Sequence, residues 1–155
     1  MMFKTHIAIA FLTGLGLLNI LNIEHKILFV IAALTGASVV DIDLKTSKVG
    51  RRARPISTLF QFIFSHRGFF HTIFAGLILT VPFLILSKIG LAFGFFAGYL
   101  SHIIIDMFNP KGVRPLSPLF QLSLRGPIPV GSLREYALLA VLVFIDTLVL
   151  LKFTL

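Results

Sequence analysis

The segment Ile89-Gly90-Leu91-Ala92-Phe93-Gly94-Phe95-Phe96-Ala97-Gly98-Tyr99-Leu100-Ser101-His102-Ile103-Ile104-Ile105-Asp106-Met107-Phe108 decides the fold. Its only fully charged side chain is Asp106, and its length is the roughly 20 apolar residues that a helix needs to cross a hydrocarbon core. Pro110 follows at once and stops the helix there. Four more apolar runs lie outward from it: about Ile7–Ile23, Ile27–Val40, Phe69–Ser87 (with Pro82 inside) and Tyr136–Phe153. The expected fold is an all-α membrane protein, a bundle of about five transmembrane helices forming a single domain over residues 1–155. Lys4 before an apolar run could open a signal peptide, but the run is long, no Ala-x-Ala site follows and His6 interrupts its start, so a retained span is expected.

Composition agrees. The 155 residues are 57% hydrophobic and 13% charged, with a mean hydropathy of +0.99, too little charge to coat a water-soluble domain. The same figures exclude disorder, and the absence of Cys excludes a disulfide scaffold. A net charge of +8 would point a soluble chain toward nucleic acid, but here the charges sort by membrane face. Lys4, Lys45, Lys48, Arg51, Arg52, Arg54, Arg67, Lys111, Arg114, Arg125 and Arg134 share one face, and Lys26, Lys88 and Lys152 the other. The positive-inside rule then puts the N-terminus in the cytoplasm and the C-terminus outside, with no nucleic-acid partner expected.

Ionisable groups are costly in lipid, so those at span ends are functional candidates. His6 opens the first span, Asp41 and Asp43 close the second, His66 and His71 precede or open the third, and His102 and Asp106 close the fourth. All seven fall in one cytoplasmic layer. His102 and Asp106 stand at i and i+4, on one helix face, and Gly90, Gly94 and Gly98 continue that stripe as a surface for close packing. His6, Ala10 and Gly14 do the same on the first span. Asp41 and Asp43 diverge by about 200° on a helix, so both reach one site only if the helix unwinds there. Glu135 suits either a ligand or a solvated helix start, and mid-span Asp146 suits a structural hydrogen bond. His25, in the turn at the other end, is left aside.

Imidazole with carboxylate and no thiolate suits Zn, Mn or Fe, and there are ligands enough for one or two ions. Paired divalent metals are the usual device for phosphoester hydrolysis. One Asp, Asp41 or Asp43, would serve as general base, and Arg67 and Arg114 would hold phosphate. The basic Lys45–Arg54 run and the Phe-rich Ile56–Phe64 stretch would gather anionic lipid beside the site. The expected function is therefore a metal-dependent hydrolase with a membrane lipid phosphoester favoured as substrate. Rival readings are an ion- or proton-linked transport protein and a non-catalytic membrane partner protein.

The segments His66-Arg67-Gly68-Phe69-Phe70-His71-Thr72, Ser101-His102-Ile103-Ile104-Ile105-Asp106 and Asn109-Pro110-Lys111-Gly112-Val113-Arg114, with His6 and Asp41-Ile42-Asp43, resemble the YdjM family. The resemblance runs from His6 to about Pro118 and implies an inner-membrane, metal-dependent hydrolase. That family is in turn similar to zinc-dependent phospholipase C and S1/P1 nucleases, helical enzymes whose zinc ligands include an H-x-x-x-D pair. His102 and Asp106 match that pair, while the N-terminal Trp ligand of those enzymes has no counterpart, which fits fewer than three ions.

Overall fold

The computed structural model describes residues 1–43 and 69–154. Among them are five α-helices: α1 (Phe3–Ile20), α2 (Lys26–Val39), α3 (Ile73–Ile85), α4 (Ile89–Asp106) and α5 (Leu133–Thr154). Two short 3₁₀ helices, Val40–Asp43 and Phe69–His71, extend the inner ends of α2 and α3. No strand occurs among the described residues; a lone antiparallel bridge joins Val113 and Leu124.

α4 is the hub, packed against α1, α2 and α3, while α5 lies on α1. Glycine makes the hub possible. A Cβ at Gly98 would collide with the Ala33 carbonyl of α2, one at Gly36 with the Phe95 carbonyl of α4, and one at Gly94 would sit 2.8 Å from the Phe29 carbonyl oxygen. The two backbones therefore touch through reciprocal small residues, the device that replaces hydrophobic driving force between helices in lipid. The expected stripe holds at Gly94 and Gly98 but not at Gly90, which faces open space beside the α3–α4 turn, where Ser87 takes φ 55°. Gly76 of α3 leaves room for the Tyr99 ring of α4, whose hydroxyl donates to the Phe70 carbonyl and so holds the second 3₁₀ helix in place.

Inside and outside are reversed relative to a soluble protein. Ile27, Ile78, Ile85 and Phe144 are exposed, while His6, Thr72, Ser101, His102, Asp106, Asn109 and Glu135 are buried. Water would not tolerate that distribution, but lipid would. Among the described residues, α1 and α4 are long and apolar enough to cross a membrane, with 18 residues each. α2 has the 14-residue length of its apolar run, offset by one residue as the chain tightens into 3₁₀ geometry at Val40. α3, at 13 residues, is shorter than its run because the chain does not enter it until Thr72 caps it by accepting from the Ala75 amide.

The connection between α4 and α5 is tied down along its length. Gly126 donates to the Asn109 carbonyl, Ile128 to that of Phe108, and Ile73 of α3 to that of Pro115.

Candidate metal centre

α4 supplies the floor of the site. His102 and Asp106, a helical turn apart, point into the bundle because Gly94 and Gly98 on the same face admit α2. His6 comes from the second turn of α1 and His71 from the end of its 3₁₀ helix. Asp41 comes from the 3₁₀ helix that ends α2, where the chain tightens to about 3 residues per turn rather than unwinding. The Asp43 side chain, and His66 and Arg67 entirely, lie outside the described residues.

The four side chains of His6, His71, His102 and Asp106 are at most 2% exposed, and Asp41 is 15% exposed. His102 is oriented by the backbone. Its Nδ1 lies 2.7 Å from the Ala37 carbonyl oxygen, which can only accept, so Nδ1 carries the proton and Nε2 presents its lone pair. That Nε2 has no hydrogen-bond partner among the described residues, yet lies 3.8 Å from Asp41 Oδ1 and 3.8 Å from Asp106 Oδ2. His71 Nε2 lies 3.9 Å from Asp41 Oδ1 and 3.6 Å from Asp106 Oδ2, and His6 Nε2 is 3.5 Å from Asp106 Oδ1.

These separations have a meaning. They exceed the usual hydrogen-bond range. They are close to the roughly 3.4 Å edge of a tetrahedron whose vertices lie ~2.1 Å from a central zinc-type ion. Two triads, His6–Asp41–His102 and His71–His102–Asp106, each offer ligand atoms within 4.8 Å of one another. The donor set, the fixed tautomer and the buried lone pair of His102 all fit a divalent ion. The Ala37 carbonyl behind His102 is the outer partner that metal-ligating imidazoles require.

Asp106 faces two ways: Oδ2 toward His71 and His102, Oδ1 toward His6 and the Met1 amine, which donates to it at 2.6 Å. The His6 and His102 rings stack at 3.6 Å, and His71 meets His102 edge-on at 5.6 Å. Arg114, expected to hold phosphate, is exposed on the α4–α5 connection and donates to Gln121.

Two acids resolve differently from each other. Glu135 is fully buried rather than solvated, and it accepts from the Met2 amide (2.5 Å), the Thr5 hydroxyl (3.2 Å) and the Gly131 amide (2.6 Å), clamping α5 to α1. Asp146 lines a cleft of about 410 Å³ between α1 and α5, with Phe3, Lys4, Ile7, Ala8, Phe11, Leu139 and Val143. Sequence reasoning missed the Met1 amine and the Ala37 carbonyl altogether, since backbone groups leave no residue signature.

The family described as "YdjM inner membrane protein" matches the chain over residues 1–154. "Inner membrane protein YdjM" of Escherichia coli (strain K12) is 34% identical over 113 residues, 67% of this chain and 58% of that protein. The protein of the same name in Shigella flexneri matches to the same extent. The chain thus spans a little over half the length of these two relatives. "Uncharacterized protein YvsG" of Bacillus subtilis (strain 168) is 30% identical over 122 residues, 74% of this chain and 72% of that protein. No solved structure matches.

Proposed function

The chain belongs to the YdjM family of inner membrane proteins, and on that premise we propose that it is a metal-dependent hydrolase of lipid phosphoesters, embedded as a five-span bundle. The single observation that carries the reading is the buried, backbone-oriented His102 Nε2 facing Asp41 and Asp106. His71, His102, Asp41 and Asp106 Oδ2 would hold one ion, most simply Zn, with Mn or Fe as substitutes. His6 and Asp106 Oδ1 would serve a second position, and Asp43 and His66 are further ligands on the basis of sequence. When bound, the ion supplies Lewis acidity, lowering the pKa of water and drawing charge from a phosphoryl oxygen.

The chain's own groups do the rest. Asp41 is the most open of the cluster's described side chains, and whichever of Asp41 and Asp43 is left uncoordinated would take a proton from water. Ala37 keeps the His102 tautomer fixed while charge changes around it. Arg67 and Arg114 would hold the phosphate from the aqueous side. The His102–Asp106 spacing is that of the H-x-x-x-D pair in zinc-dependent phospholipase C, which supports the phosphoester assignment.

The cluster is assigned to the cytoplasmic face on the charge asymmetry. Cysteines introduced at Arg52 and Lys88 are expected to label from opposite sides of the membrane; labelling from one side would remove the five-span topology. Protein reconstituted with Zn, Mn or Fe should retain stoichiometric ion and cleave phospholipid or another lipid phosphoester faster than an oligonucleotide. Failure to retain any ion would end the hydrolase reading. Cleavage of oligonucleotides with every lipid untouched would move the substrate class and leave the site standing.

A further inference from the structure

The α4–α5 connection carries a feature that the buried cluster does not use. Residues Asn109–Arg134 contain Lys111, Arg114, Arg125 and Arg134 and no Asp or Glu. The Val113–Leu124 bridge pinches this connection at its base, with each amide donating to the other's carbonyl, and Val113 is sealed into the core. Beyond the pinch the chain makes an ordered excursion: Ser117 donates to the Arg114 carbonyl, Phe120 to that of Leu116, and Arg114 to the Gln121 side chain. At its tip Leu119, Phe120 and Leu122 are 69%, 63% and 56% exposed, with Arg114 and Arg125 exposed at its base.

From this juxtaposition of an apolar tip and an acid-free basic base, we infer that the excursion is a membrane-interface finger that inserts Leu119, Phe120 and Leu122 among anionic lipid headgroups. Three apolar side chains are too few for a stable protein interface, which covers about 800 Å² per partner. They suit the boundary between headgroups and acyl chains, where basic residues alongside gain from anionic lipid. The finger also has the right root. Pro115 is bonded to the first residue of α3, and Ile128 to the carbonyl just past the end of α4, so it springs from the level at which these helices end. Its insertion would fix the height of the bilayer surface relative to the His/Asp layer. The inference stands whether or not that layer binds a metal.

The chain has no Cys, so a single introduced thiol is unique. Phe120→Cys, and separately Leu122→Cys, would carry an environment-sensitive fluorophore in lipid nanodiscs, which leave both faces open to water. In discs containing phosphatidylglycerol, a shallow nitroxide-labelled lipid should quench both probes. Iodide quenching should be about threefold weaker than in phosphatidylcholine discs, and Arg125→Gln should reduce that difference. Full iodide access in both lipids would overturn the inference. So would protection from iodide and nitroxide lipid alike, which would show a protein covering the tip.

Discussion

His25 and His102 share a side chain and little else. His25 is exposed in the α1–α2 turn, near Asn22, Glu24, Ser87 and Lys88 around a pocket of about 530 Å³, where water can serve each polar group separately. His102 lies at the opposite end of the bundle, 1% exposed, with His6, His71 and Asp106 equally buried beside it and Asp41 partly open at 15%. Buried polar groups must satisfy one another or be satisfied by something that binds. From His102 Nε2 the spacings to the Asp41 and Asp106 carboxylates are too long for the first solution and suit the second. Similar residue types thus make a solvated turn at one end and a buried cluster that could hold an ion at the other, and the difference lies in how closely the helices approach.

The largest expected effect tests that contrast directly. His102→Ala should lower metal affinity by at least about 100-fold, given that even outer-shell losses cost 10–100-fold, whereas His25→Ala should change nothing. Elemental analysis of protein reconstituted with Zn, Mn or Fe reads the result, and equal losses in both variants would erase the distinction. The next effect concerns the approach of the helices. Gly98→Ala should destabilise the fold by about 2–3 kcal/mol through backbone overpacking against Ala33, while Gly90→Ala, in open space, should be neutral or stabilising by up to ~1 kcal/mol. Denaturant titration in detergent would compare the two. The smallest contrast sets two glutamates against each other. Glu135→Gln should cost about 1–3 kcal/mol, because the donors on Met2, Thr5 and Gly131 face a weaker acceptor, while exposed Glu24→Gln should stay within ~0.5 kcal/mol of the parent.

Much of the site was legible because its information is periodic. The i, i+4 spacing of His102 and Asp106 and the glycines on their face identify a packed, polar-bearing stripe, and the fold turns that stripe inward. The cluster of span ends likewise brought His6, Asp41 and His71 to the same place. Helix lengths were less legible. The apolar run that begins at Phe69 carries no sign that the α-helix waits until Ile73, beyond the 3₁₀ turn Phe69–His71. Gly90 repeats the glycine spacing but falls beside the α3–α4 turn, where no neighbour approaches. The fate of Glu135 depended on whether α1 covers it, which local sequence does not specify. The Ala37 carbonyl could be found only once α2 and α4 were placed side by side.

The Glu135 clamp has a consequence for the order of biosynthesis. Its carboxylate leaves the ribosome 133 residues after the Met2 amide that donates to it. Every described member of the His/Asp cluster has by then been synthesised, but the first turn of α1, next to His6, still lacks its buried acceptor and must rely on water. That turn gains its Glu135 acceptor only when the fifth helix arrives. The residues of the cluster are therefore all made before the start of α1 is clamped in place beside them.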